Sequence, residues 1–292
     1  MFIATLIAEG LSSGQVDAAV GKLAAAGCTP GAGRWLDEGI AADLPFAAQP
    51  DAARTALEGA VSGADVIVQV EAHREKKLLV ADMDSTMITV ECIDELADYA
   101  GIKPQIAEVT ERAMRGELDF AAALDARVAL LVGLSERAID QCLEERVRLM
   151  PGAVALVKTM RARGAHTILV SGGFTRFAEP VGTRIGFDRR IANVLEIEDG
   201  KLTGIVTKPI VDSSTKETTL LGAMAELGLA PEQTMAVGDG ANDLAMIRKA
   251  GLGVAYHAKP IVAAAAGARI DHGDLTALLY AQGIPSAEWV TE

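Results

Sequence analysis

The sequence predicts an α/β protein: a doubly wound parallel sheet that carries a helical insertion and follows a small βαββαβ unit. Three observations predict it. Short apolar runs at Leu78–Ala81, Thr167–Val170 and Thr234–Val237 each end in polar or glycine residues, as strands buried on both faces of a parallel sheet do. Helical stretches at Gly152–Arg163, Lys216–Leu227 and Asp243–Ala250 alternate with the strands, the rhythm of βαβ units. Between the first two runs, residues 91–148 read as almost wholly helical, broken at Gly101, Gly116 and Gly133. That is far more chain than one crossover helix needs, so it marks an inserted cap over about residues 89–150.

The elements follow in order. Phe2–Ala8 is a short apolar strand, and Ser13 is placed to cap the helix after it, which puts Val16, Val20 and Leu23 on one face. Thr29-Pro30-Gly31 is a turn, and two weaker strands come next. A helix over about Asp51–Val61 and a strand at Asp65–Val70 complete a ferredoxin-like order in residues 1–75. His73-Arg74-Glu75-Lys76-Lys77 reads as a charged hinge, which sets the domain boundary there and assigns residues 76–292 to the second domain. Within that domain, Asn193–Ile197 and Leu202–Val206 flank Asp199-Gly200, a strong hairpin signal.

Bulk properties narrow the function. Half of the 292 residues are apolar, so a sizeable core is expected. Lys and Arg number 27 against 40 Asp and Glu, a formal charge of −13, which disfavours nucleic acid and anionic membrane surfaces as partners. A small anionic substrate then needs positive charge supplied locally. Cys28, Cys92 and Cys142 are few, far apart and without Cys-x-x-Cys spacing, as expected of reduced thiols in the cytoplasm. The four histidines are equally scattered. Met1-Phe2-Ile3-Ala4 carries no basic stretch, and no apolar run approaches the roughly 18 residues of a membrane span.

Chemistry concentrates where the predicted strands end. Asp82-Met83-Asp84-Ser85-Thr86 places two carboxylates one residue apart after the first run. One can bind metal and attack phosphorus while the other gives a proton to the leaving oxygen; taken alone, a solvated acidic turn reads equally well. Gly238-Asp239-Gly240-Ala241-Asn242-Asp243 ends another strand, its glycines permitting a tight turn beside two more acids. Ser171-Gly172-Gly173 ends a third strand ahead of a helix, where a hydroxyl and free N–H groups can cradle phosphate. Lys216 follows Asp212-Ser213-Ser214-Thr215 at a helix start; in isolation it reads as an ordinary surface lysine, but a site packed with carboxylates needs one lysine to offset the charge and hold phosphate.

These four motifs, in this order, resemble those of the haloacid dehalogenase-type phosphatases, over about residues 77–285. The resemblance implies a haloacid dehalogenase-like (HAD) core, Asp82 as nucleophile through an aspartyl-phosphate, and Asp84 as general acid and then base. It implies Mg²⁺ held by the Asp82 carboxylate, the Asp84 carbonyl and Asp239. Ser171, Gly172, Lys216 and Asn242 would bind the phosphoryl group, with Asp243 supporting the metal shell or Lys216. Asp84 speaks against the dehalogenase branch, whose chemistry needs neither that acid nor a metal.

The cap points to the substrate. Val90-Glu91-Cys92-Ile93-Asp94-Glu95, Met114-Arg115-Gly116, Phe120 and Arg127-Val128 resemble the cap of the phosphoserine phosphatases. Glu91 would then pair with the substrate ammonium and Arg127 with its carboxylate, and Met114 and Phe120 would wall the pocket. Without the resemblance, Glu91 reads as a helix-start acid and Arg127 as a surface charge on an amphipathic helix. The activity implied is Mg²⁺-dependent hydrolysis of phosphoserine, the last step of serine biosynthesis. Phosphothreonine, homoserine phosphate or phosphoethanolamine is the alternative substrate, and an amino-acid-binding regulator the alternative outside enzymes. Residues 1–75 resemble ACT-like sensing domains in pattern, with Glu9–Gly14 as a loose ligand turn; serine sensing, homodimer formation and an inert appendage all stay open.

Overall fold

The computed structural model describes residues 1–291. The first unit contains β1 (Phe2–Ile7), α1 (Ser13–Ala25), β2 (Arg34–Asp37), β3 (Ala41–Phe46), α2 (Pro50–Leu57) and β4 (Asp65–Val70). Its sheet is antiparallel in the order β2-β3-β1-β4, the expected ferredoxin-like arrangement. Two local readings shift. Ser12, not Ser13, caps α1: its hydroxyl accepts the Gln15 N–H, and Gln15 Oε1 accepts the Ser12 N–H at 2.9 Å, a reciprocal capping box. Helix α2 stops at Leu57 rather than Val61 because Glu58 is extended and Gly59 turns left-handed at φ 71°.

The second unit starts with β5 (Leu78–Ala81) and leaves the sheet for the cap, α3 (Cys92–Tyr99), α4 (Lys103–Met114), α5 (Phe120–Ala129) and α6 (Glu136–Glu145). Gly101, Gly116 and Gly133 lie between these helices with φ of 69°, 78° and 79°, conformations that suit glycine and end a helix. The two strands of chain joining cap to core pair with each other: Thr89 N–H donates to Arg148 O at 3.0 Å and Met150 N–H to Met87 O at 2.9 Å. The chain then continues through α7 (Ala153–Ala162), β6 (His166–Phe174), α8 (Thr175–Ile185), β7 (Arg189–Glu198), β8 (Lys201–Thr207), α9 (Ser213–Leu227) and β9 (Thr234–Gly238). It ends with α10 (Leu244–Lys249), β10 (Leu252–Tyr256), α11 (Pro260–Ala265), β11 (Ala268–Ile270) and α12 (Ala277–Ala281).

The seven strands run β11-β10-β9-β5-β6-β7-β8, parallel except for β8, which returns antiparallel along β7. Asp199 and Gly200 make that turn with φ of 49° and 73°, the pair of left-handed residues such a tight hairpin needs. β5 is central, so β9 and β6 flank it and bring their carboxyl ends to one crevice.

The two units share a core. Ile7, Ala41 and Ile67 are buried in the same apolar cluster as Leu279 and Tyr280. Across the junction the Asp65 carboxylate accepts N–H groups of Asp271 and Gly273, both at 2.7 Å. Within the segment read as a charged hinge, Arg74 and Lys76 are packed while His73 stays exposed. Arg74 grips both oxygens of the buried Asp43, and the Lys76 ammonium, 4 % exposed, donates to the carbonyls of His73 and Glu232 at 2.8 Å. Asp43 and Glu232 lie far away in sequence, so the charges look solvated until the chain folds.

Candidate active site

Asp82 follows β5 and extends its ladder by one bond, its N–H donating to Val237 O at 3.0 Å. The chain then turns sharply: the Met83 carbonyl accepts from Thr86, Met87 and Ile88, and Ser85 adopts φ 54°. Beside it, β9 runs into Asp239, and the glycines around that acid have a steric cause. A Cβ on Gly238 would lie 2.3 Å from Asp243 Cγ, and one on Gly240 would lie 2.3 Å from Asn242 Oδ1. Their absence lets the Asp243 carboxylate tuck under the strand end, where Oδ2 accepts the Gly240 N–H at 3.0 Å.

Helix α9 delivers the cation. Asp212 caps it by accepting the Thr215 N–H at 2.9 Å, and Lys216 in the first turn is fully buried. Its ammonium lies 2.7 Å from both Asp82 Oδ1 and Asp243 Oδ1. Burial works against that charge, but Asp82 and Asp243 outweigh it and hold the lysine above its ordinary pKa. One ammonium does not balance the acids around it. Oxygens of Asp82, Asp239 and Asp243 lie within 4.8 Å of one another. Burial, then repulsion from Asp82 and Glu91, pushes Asp239 up to about 6, and burial with Asp82 likewise raises Asp243. Asp84 stands well above the usual carboxylate range through burial, Glu91 and Asp82, and its shielded Oδ1 has no hydrogen-bond partner among the described residues. Crowded hard oxygen donors short of positive charge fit a divalent metal ion.

On the other side of Asp82, Ser171 is buried and its Oγ accepts the Gly173 N–H at 2.9 Å. Here the structure departs from the expected strand–turn–helix. β6 runs on to Phe174 and α8 begins at Thr175, so the Ser171–Gly173 amides lie in an irregular strand end and not in the helix's first turn. The glycines admit close neighbours: a Cβ at Gly173 would stand 3.2 Å from Asp84 Oδ2, and one at Gly172 3.1 Å from the Phe120 ring.

A cavity of about 480 Å³ opens over these strand ends, with cap residues on its far wall. Asp82, Asp84, Ser171, Gly172, Asp239 and Asn242 line the core side; Glu91, Phe120 and Arg127 line the cap side. Lys216 sits behind Asp82. Glu91 makes no cap bond to α3 and accepts from Ser85 Oγ at 2.7 Å instead. Arg127 is partly buried, its Nε donating to Ala123 O at 3.2 Å; burial lowers its pKa, while Asp94 and Glu91 oppose the shift. The Met114 side chain, expected on this wall, lies outside the described residues. Lys259 also lines the cavity and was not anticipated; its N–H donates to Asp239 O at 3.3 Å. It follows β10, a strand whose recognition would have placed it at the same sheet edge. Thr86, at the end of the motif that holds Asp82 and Asp84, donates to Asp239 Oδ1 at 3.4 Å.

Comparison with known proteins agrees with this geometry. The family model for the haloacid dehalogenase-like hydrolases matches residues 76–251. A phosphoserine phosphatase of Albidiferax ferrireducens is 50% identical over 208 residues, 70% of this chain and 88% of that protein. The crystal structure of a HAD-family hydrolase from Salmonella enterica serovar Typhi superposes with a TM-score of 0.83 at 30% identity, covering 96% of this chain and 98% of its own. A substrate-bound phosphoserine phosphatase complex gives 0.65 at 37% identity, covering 70% and 97%.

Proposed function

The chain belongs to the haloacid dehalogenase-like hydrolases, and from that premise we infer that it hydrolyses O-phosphoserine to serine and phosphate, the last step of serine biosynthesis. The observation that carries this reading is one cavity that holds the Asp82–Asp84 pair on the core wall and the Glu91–Arg127 pair on the cap wall. Phosphoserine presents a phosphate to the first pair and an ammonium with a carboxylate to the second.

Asp82 attacks phosphorus and becomes an aspartyl-phosphate, while Asp84 protonates the departing serine oxygen. The pKa of Asp84, raised by burial and by repulsion from Glu91 and Asp82, supports that role, since it favours the protonated acid. Water then attacks the aspartyl-phosphate, and Asp84 takes up its proton. Ser171, Gly172, Asn242 and the Lys216 ammonium hold the phosphoryl oxygens. The substrate ammonium replaces the Ser85 hydroxyl on Glu91, and Arg127 receives the carboxylate. We assign Mg²⁺ as the metal, held by the carboxylates of Asp82 and Asp239 with the Asp84 main-chain carbonyl; it supplies neutralisation of the phosphoryl charge. Asp243, with one oxygen on Lys216 and the other on Gly240 N–H, orients the lysine.

The test is phosphate release from phosphoserine, phosphothreonine and phosphoethanolamine, each with Mg²⁺ and with EDTA. Phosphoserine is expected to turn over fastest and EDTA to abolish release. Turnover that survives EDTA, or a preference for the amine without a carboxylate, contradicts the proposal.

A further inference from the structure

We propose that Asn193 is a positioning residue for the phosphoryl group: its side-chain amide ties the irregular end of β6 at Ser171–Gly173 to the loop that launches α9 and Lys216. The proposal deepens the reading of Ser171–Gly173 and Lys216 as the phosphate site and rests on it.

Asn193 lies on β7 and is 1 % exposed. The ladder between β6 and β7 breaks after Val170 and resumes only where Phe174 faces Asn193, so residues 171–173 lack regular pairing with that strand. The asparagine side chain takes the place of the missing ladder. Its Nδ2 donates to Gly172 O at 2.8 Å and to Val211 O at 3.2 Å, and its Oδ1 accepts from Val211 N–H at 2.7 Å. The partners dictate which end is which, since the two carbonyls only accept and the Val211 amide only donates.

The bond to Gly172 has a directional consequence. The peptide joining Gly172 to Gly173 is planar and trans, so drawing its carbonyl toward Asn193 turns the Gly173 N–H the opposite way. There it donates to Ser171 Oγ, on the wall of the cavity. The clamp on Val211 acts one residue before Asp212, the cap of α9, and thereby sets where Lys216 enters the site. A single buried amide thus relates the strand end that offers N–H groups to the helix start that offers the ammonium. An aspartate or glutamate here would face two carbonyls with a negative charge, and a leucine would strand three backbone groups.

Asn193→Asp keeps an acceptor for Val211 N–H and, as a carboxylate, sets negative charge against the Gly172 and Val211 carbonyls, so the bond to Gly172 O is broken. Inorganic phosphate binding to the Mg²⁺-loaded protein is measured by calorimetry, independently of turnover, alongside KM for phosphoserine, inhibition by free serine and the Mg²⁺-induced rise in Tm. Phosphate affinity is expected to fall by about 10-fold to 100-fold, the scale of misplacing a positioning group by about 1 Å. KM should rise in parallel, with serine inhibition and the Mg²⁺ effect unchanged. Unchanged phosphate affinity overturns the proposal, as does an equal loss of phosphate, serine and metal binding, which marks a general prop of the fold. Asn193→Ser is read the same way if the aspartate variant does not fold; failure of both to fold also overturns it. A wild-type protein that binds phosphate but does not hydrolyse phosphoserine refutes the proposed function and leaves the Asn193 measurement intact.

Discussion

Asp82 shares its Oδ1 between the Met83 N–H and the Lys216 ammonium, at 2.8 and 2.7 Å, which orients the carboxylate and leaves Oδ2 for other work. Asp82→Asn keeps the size of the group but removes the nucleophile, and turnover is expected to fall by roughly 10⁴-fold or more in a phosphate-release assay. Arg127→Ala should act differently, raising KM for phosphoserine by about 10- to 100-fold through loss of a charged hydrogen-bonded contact. Its preference for phosphoserine over phosphoethanolamine should shrink with it. Asp239 predicts a pH dependence. Its carboxyl is raised to about 6 in the metal-free fold, against about 3.9 in an unfolded chain. The folded state therefore binds the extra proton, and this group's contribution is full below about pH 4 and is lost as pH rises through about 6. A cation competes with that proton. The rise in Tm that Mg²⁺ produces over EDTA should consequently grow from pH 5 to pH 7.5, and a flat increment would contradict the assignment. Asp82, Asp84, Asp239 and Lys216 were legible because each occupies a strand end or helix start in a spaced motif. Thr86 stood in the first of these motifs without a role, and Asn193 and Lys259 were given none, because a threonine, asparagine or lysine shows its contact only once its distant partner is known.

Among the elements, the glycines at the carboxyl end of β9 show the tightest coupling between backbone and site. Gly238→Ala would drive a methyl group into the Asp243 carboxylate, which is itself held by Lys216 and Gly240. It is expected to cost about 1–3 kcal/mol in stability, read by chemical denaturation, and to reduce turnover by displacing Lys216. The helices of the cap were readable from their breaks, since Gly101, Gly116 and Gly133 each take the left-handed conformation that ends a helix. The hairpin at Asp199-Gly200 was readable for a related reason. Strands β10 and β11 were harder to see: Leu252–Tyr256 contains a glycine, and Ala268–Ile270 is three residues long and follows an alanine-rich stretch with a helical look. The Ser171–Gly173 segment does end a strand ahead of a helix, but not as a separate turn. Its residues suit a turn, but the sheet carries β6 past them to Phe174.

The whole molecule behaves as two units with one interior. Arg74 meets Asp43 in the first unit and the carbonyls of Tyr280 and Ala281 in the second. Arg74→Ala would leave the buried Asp43 with the half-exposed Arg34, 3.6 Å away, in place of its bidentate partner, and is expected to cost about 3 kcal/mol. Because Ile7, Ala41 and Ile67 share a core with α12, the loss should lower the unfolding midpoints reported by Trp35 and by Trp289 together, read separately in Trp→Phe variants. A shift at Trp35 alone would show that the units unfold independently. The sheet, the cap and the acid motifs could be read from order along the chain, because strand, helix and turn preferences act over a few residues and the motifs stand at their ends. Only the folded molecule decided that Arg74 and Lys76 are tied into the interior, that Lys216 lies between Asp82 and Asp243, and that Glu91 and Arg127 face one cavity with Asp82. Each of those facts depends on groups tens of residues apart being brought within a few ångströms, a distance set by β5 lying between β9 and β6 and by the cap folding back over their ends.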